Sequence, residues 1–167
     1  EYIQINKPDL LIVFGDVNST LACSLVASKM DIPIAHVESG LRSFDRKMPE
    51  EINRVLTDQL SELLFTTSPE AEVNLLNEGK SKNQIFYVGN TMIDSLLRLN
   101  NKFDKSEIIK TLNISSPFIL MTFHRPSNVD DPKNLKAIID SICKLSQEFD
   151  CIFPVHPRTK KILDQSS

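Results

Sequence analysis

Glycine is scarce in this 167-residue chain, at four residues, and tryptophan is absent. Neither a GxGxxG run nor a GxxxxGK[ST] loop occurs. Nucleotide binding through those phosphate-cradling loops is therefore disfavoured. There is no GxSxG elbow to present a nucleophilic serine. Cysteine is limited to Cys23, Cys143 and Cys151, odd in number and far apart, with no CxxC pair. That spacing gives no zinc site, and the three read as reduced, buried residues of a cytoplasmic protein. Positive charge is not in excess: 19 Lys and Arg face 22 Asp and Glu, for a net charge of -3. Broad nucleic-acid binding is thus disfavoured. No apolar run approaches the roughly 20 residues that span a bilayer. The opening EYIQINKPDLLIVF lacks the basic start and small-residue cleavage site of a signal peptide.

What is present alternates strand and helix. Residues 10–14 form a continuous apolar run and read as a fully buried strand. Asn18, Ser19 or Thr20 caps a helix to about residue 30, and residues 32–36 form a second short strand. Pro49 suits the first position of a helix over PEEINRVLTDQL. A strand follows at 63–66. A Ser68-capped helix then runs to Gly79, and a strand occupies 85–88. Residues 92–99 look helical, and the polar stretch 100–105 reads as a connection. A short helix at 106–111, a strand at 118–122, an amphipathic helix at 132–149, a strand at 151–155 and a helix from Pro157 complete the pattern. This is an α/β chain of parallel strands with a second α/β unit opening after the first. Both ends read as cut, so the chain is expected to be a fragment.

Three acidic residues follow predicted strands or open a helix: Asp16 in FGDVNST, Glu38 in HVESGLRS and Glu50 in KMPEEINR. In an open parallel sheet the carboxyl ends of the strands share one edge, where ligands bind. Carboxylates converging there suit acid/base work on a polar substrate. Each also has a bland reading. Asp16 could cap the following helix, and Glu50 and Glu51 could complement a helix N-terminus. Glu38 is harder to explain away, since no helix starts beside it. His36 is either a general base or a satisfied core histidine. His124 and Arg125, after the apolar run 118–121, suit phosphate or diphosphate contact. His156 holds the matching position after the next strand.

In chain order the motifs GDVNSTLA, HVESGLRSFDRKMPEEINR, GNTMIDSLL, FHRPSN and PVHPR resemble the non-hydrolysing UDP-N-acetylglucosamine 2-epimerases. The block from His36 to Arg54 carries most of the specificity. The resemblance implies a GT-B-like, two-domain architecture of Rossmann-like parallel sheets, present here as a fragment. Residues 1–90 would be the later part of the first domain, and 91–167 the opening part of the second. It implies interconversion of UDP-N-acetylglucosamine and UDP-N-acetylmannosamine, by loss of UDP to a 2-acetamidoglucal and its re-addition. Asp16, Glu38, Glu50 and His124 match the family's catalytic positions. Arg54 and Arg125 match substrate-side positions. His156 matches a position beside a regulatory nucleotide-sugar site in some bacterial members. No cofactor, metal, nucleic acid or membrane partner is implied. A UDP-sugar substrate is, with a homodimer for the full-length protein, and the fragment is not expected to be active alone.

Two departures stand out. Ser127 replaces an acidic residue of the family's HR.EN motif, and Ser39 replaces a common alanine. Related readings are an epimerase of a UDP-diacetamido sugar acid, an inactive nucleotide-sugar binding module and a GT-B glycosyltransferase. Clustered carboxylates in the first domain fit the last of these less well.

Overall fold

The computed structural model describes residues 2–115, 117–123 and 129–166. The chain divides into two compact units, Glu1–Asn100 and Asn101–Ser167. Both are built on parallel strands, as the alternating pattern requires.

The first unit opens with a short helix α1 (Tyr2–Asn6), absent from the sequence reading. Its sheet has the order β1 (Leu11–Phe14), β2 (Ile34–Ser39), β3 (Leu63–Thr66) and β4 (Ile85–Tyr87), all parallel. Helices α2 (Asn18–Ser28), α3 (Pro49–Leu60) and α4 (Pro69–Asn77) make the crossovers. Val13, Ala27, Ile32 and Ile34 form one apolar cluster, and Leu64, Leu75 and Ile85 form another. Each large aliphatic side chain buried this way contributes about 1.5–3 kcal/mol. The strand at 10–14 was expected to be fully buried. Only Val13 is, while Ile12 and Phe14 remain 52% and 64% exposed. Ile12 and Phe14 share the sheet face opposite Val13, and α2 covers β1 from the Val13 side.

Helix α2 seats its small residues, Thr20, Ser24 and Ala27, at i, i+4 and i+7. It packs on β1 and α3 along that stripe. Cys23 falls outside the stripe and is exposed, as is Cys143, while Cys151 is half-buried. The expectation of buried cysteines is therefore corrected. The expected side-chain cap of α2 is corrected too. Its N-cap is Val17, with no side-chain bond, because Thr20 Oγ1 donates instead to Phe14 O at 2.7 Å. Ser68 does cap α4, accepting from Ala71 N.

Helix α5 (Thr91–Phe103) runs through residues that read as a polar connection. The second unit holds α6 (Ile108–Thr111), β5 (Phe118–Leu120), α7 (Pro132–Leu145), β6 (Asp150–Ile152) and α8 (Pro157–Ser166). β5 and β6 pair in parallel, with Phe118 opposite Asp150. Asp131 caps α7 by accepting from Lys133 N at 2.8 Å. No helix among the described residues is long and apolar enough to cross a membrane.

Candidate active site

The register of β1 against β2 ends with Phe14 opposite Val37. Gly15 and Asp16 therefore leave β1 beside Glu38, at the same sheet edge. Gly15 has a positive φ, and its N–H donates to Val37 O at 3.1 Å, which fastens the β1 exit to β2. Asp16 does not cap α2. Its carboxylate pairs with Arg54 Nη2, and its carbonyl accepts from Asn53 Nδ2 at 2.8 Å. Asn53 also donates to Asn18 Oδ1 at 2.9 Å. Both the backbone and the side chain of Asp16 are thus held by α3.

Glu38 differs from the sequence reading in one respect. It lies inside β2 rather than in the loop beyond, where the pairing with β3 shifts between Val37 and Ser39. There it takes φ +73, in the left-handed region. For a residue with a Cβ that conformation costs about 1–2 kcal/mol. A bulge of this kind re-aims a side chain. Glu38 is half-buried, and among the described residues its carboxylate has neither hydrogen bond nor ion pair. A strained backbone under an unpaired, half-buried carboxylate makes Glu38 a candidate for function.

Glu50 sits in the first turn of α3, one helical turn before Arg54. With Val17, Asn18, Ser19 and Asn53 it lines an open cleft of about 380 Å³. The uncapped N-terminus of α2 meets the same cleft. The structure thus places Asp16 and Glu38 at one sheet edge, and Asn53 and Arg54 tie α3, with Glu50 in its first turn, to Asp16.

Its neighbour Glu51 does something else. It is 2% exposed and accepts from Ser43 N and Oγ, both at 2.9 Å, and from Phe44 N at 3.0 Å. Burial pushes this carboxyl up, but the three hydrogen bonds and nearby Arg54 outweigh burial and hold it below the usual range. Glu51 thereby fixes the turn in which Phe44 sits at φ +58.

Beneath the edge lies a buried network that the sequence reading missed. His36 is fully buried; its Nδ1 lies 2.6 Å from Asp58 Oδ1 and its Nε2 lies 2.8 Å from Gly15 O. It is the satisfied core histidine, not an exposed base. Asp58 Oδ2 also accepts from Gly40 N at 3.1 Å and from Arg42 Nη2 at 2.8 Å. Arg42 closes a two-pronged pair on Glu78 at 2.7 and 2.6 Å. Burial lowers the Arg42 pKa, but the Glu78 and Asp58 contacts more than offset it, and the guanidinium is held charged. Lys80 Nζ donates to Gln59 O and Ser61 O at the end of α3. Burial pulls its pKa down against the opposing charges of Asp58 and Glu78. The one available signal was the polar spacing Glu51, Arg54, Asp58 along α3, at helical intervals.

His124, Arg125 and Ser127 lie outside the described residues. His156 is exposed ahead of α8, and its carbonyl accepts from Lys160 N at 2.9 Å. Within the second unit, Thr159 Oγ1 donates to Phe123 O at 3.0 Å. The start of α8 is thereby tied to the exit from β5. Among the described residues no three His, Cys, Asp or Glu side chains are placed to hold a metal ion.

The whole chain, residues 1–167, matches the sequence family described as UDP-N-acetylglucosamine 2-epimerase. It is 51% identical over 168 residues to a UDP-N-acetylglucosamine 2-epimerase homolog of Methanococcus maripaludis, covering 99% of this chain and 46% of that protein. A UDP-2,3-diacetamido-2,3-dideoxy-D-glucuronate 2-epimerase of Pseudomonas aeruginosa is 43% identical over 164 residues, 95% of this chain and 45% of that protein. Among solved structures, the UDP-GlcNAc 2-epimerase of Methanocaldococcus jannaschii in complex with UDP-GlcNAc and UDP aligns with a TM-score of 0.88 at 46% identity. That alignment covers 98% of this chain and 46% of the structure. The chain thus spans under half the length of the relatives it matches.

Proposed function

The chain belongs to the UDP-N-acetylglucosamine 2-epimerase family, and from that premise we propose that the whole protein interconverts UDP-N-acetylglucosamine and UDP-N-acetylmannosamine. The observation that carries this reading is Glu38, a half-buried carboxylate in a strained bulge, unpaired among the described residues, at the same sheet edge as Asp16, with Glu50 on the helix that holds Asp16.

The chemistry asks for such a set. A base removes the proton at C2. The C1–O bond breaks with its electron pair leaving on UDP, and a C1=C2 double bond forms, giving a 2-acetamidoglucal. A UDP oxygen then rebuilds the bond at C1 while a proton arrives on the opposite face of C2. Two acid/base groups are needed, one per face, and a third carboxylate can hold the sugar or trade a proton with one of them. Glu38 and Glu50 are free of ion pairs among the described residues. Asp16 is held in place by its pair with Arg54. Positive charge is also required where UDP departs, and His124 and Arg125 are assigned that work, with Arg54 on the substrate side. His156 is assigned to a regulatory nucleotide-sugar contact. The same reading makes residues 1–90 and 91–167 parts of two domains, and the whole protein a cytoplasmic homodimer supplying polysaccharide synthesis.

A second substrate is supported by the Pseudomonas aeruginosa relative, whose name places acetamido groups at both C2 and C3. Incubating the whole protein with each UDP-sugar in deuterated water separates the readings. Deuterium entering C2 of UDP-N-acetylglucosamine as the manno product appears is the expected result. Exchange only into the diacetamido uronate would transfer the assignment to that sugar. Free N-acetylmannosamine with UDP would indicate the hydrolysing reaction, and no exchange with either sugar would leave a binding module.

A further inference from the structure

We propose that His36 and Asp58 form a positioning pair that sets the carboxylates of Asp16 and Glu38 in fixed relation to each other. This rests on the acid/base reading of those two residues. The pair is fully buried and reaches both loops at once. His36 Nε2 donates to Gly15 O, one residue before Asp16, at 2.8 Å. Asp58 Oδ2 accepts from Gly40 N, two residues after Glu38, at 3.1 Å. The two side chains meet at 2.6 Å, where facing lone pairs would repel, so one proton occupies the gap between Nδ1 and Oδ1. A continuous chain of hydrogen bonds therefore runs from the exit of β1 to Gly40 at the exit of β2, through Asp58 in the last turn of α3.

A merely structural role explains this less well. Burying an ionisable, hydrogen-bonded pair gains little over an apolar pair of the same volume. What it adds is direction, because each hydrogen bond fixes one backbone atom of a loop bearing a carboxylate. Proton abstraction and return on opposite faces of C2 tolerate little drift. A misplacement near 1 Å can cost about 100-fold in rate.

The two oxygens of Asp58 have separate partners, and that supplies the test. In Asp58→Asn the amide oxygen can replace Oδ2, accepting from Gly40 and Arg42. The amide nitrogen can replace Oδ1 and donate to His36 Nδ1, while the ring keeps its Nε2–H bond to Gly15. In the whole protein, Asp58→Asn is expected to keep kcat within about threefold. Asp58→Ala is expected to lose about 100-fold in kcat, with KM and UDP affinity within about twofold. His36→Phe, which keeps a flat ring of somewhat larger volume and removes both bonds, should show the same split. Retention of kcat in folded Asp58→Ala or His36→Phe would overturn the proposal. So would an equal loss of kcat and UDP affinity, a failure of Asp58→Asn to rescue, or loss of fold in both truncating variants. Absence of C2 exchange in the wild-type protein would instead overturn the functional reading beneath it.

Discussion

Helices α3 and α7 are of similar length, 12 and 14 residues, and each begins with a proline. They spend their inner faces differently. The buried residues of α3 are Glu51, Asn53, Thr57 and Asp58, all polar. The buried residue of α7 is Leu135, and Ile138, Ile142 and Leu145 line an open apolar groove of about 430 Å³ with Ile119 and Met121. By the hydrophobic pattern alone α7 is the better-formed helix. Polar burial costs stability unless every group is paired. On α3 the bonds of Asn53, Arg54, Asp58 and Glu51 end on Asp16, Gly40, Ser43 and Phe44, while Thr57 Oγ1 is buried without a partner among the described residues. The difference supports the proposed site: α3 spends its buried groups on the loops beside Asp16 and Glu38, whereas α7 lines an apolar groove.

The largest break in that comparison is expected from Gly40. It has φ +79, and a Cβ there would lie 2.4 Å from Ala71 O, a backbone atom. Gly40→Ala must move β2 away from α4 and disturb the Asp58 contact, a loss of about 3 kcal/mol or more. Chemical denaturation of the whole protein measures it.

Next comes Glu51→Gln, which removes the charge that three donors address; about 2 kcal/mol is expected at pH 7. The folded carboxyl sits below its ordinary 4.5. The folded state therefore binds fewer protons than the unfolded state between the two pKa values. The contribution is complete above the unfolded value and disappears as pH falls through the folded one. The gap between wild type and variant should close on acidification, and a gap constant with pH would contradict the assignment.

On the apolar side, Leu135→Ala should cost about 2 kcal/mol, near the low end for a buried leucine, because the neighbouring groove is open. Turnover at saturating substrate should be little changed. The smallest effect sharpens the contrast from the other direction. Ser39 Oγ is buried without a partner among the described residues. Ser39→Ala is expected to be neutral or to stabilise by up to about 1 kcal/mol, with activity unchanged. The substitution of serine for the family's common alanine thus looks like a tolerated cost.

The strands at 63–66 and 85–88, the Pro49 helix and the Ser68 cap were legible because apolar runs, proline at the first helical position and a capping serine each act locally. The placement of Asp16 and Glu38 at one sheet edge was legible because the carboxyl ends of neighbouring parallel strands share that edge. The Asp58 network was not, since His36, Gly40, Arg42 and Asp58 meet only through tertiary packing. Local pattern placed α2's cap on polar residues, and Thr20 was instead drawn to Phe14 O. The helical extension to Phe103 escaped for a related reason: polar residues on an exposed helix face look like a connection.

The central claim is that Glu38 is strained for function and not for stability. Glu38→Gly in the whole protein tests it directly, because glycine adopts φ +73 without a Cβ penalty. The account predicts unfolding at the same temperature or higher, with a gain within about 1 kcal/mol, and a loss of C2 exchange of about 100-fold to 10,000-fold. A protein that unfolds several degrees lower, or one that still exchanges at the wild-type rate, would contradict it.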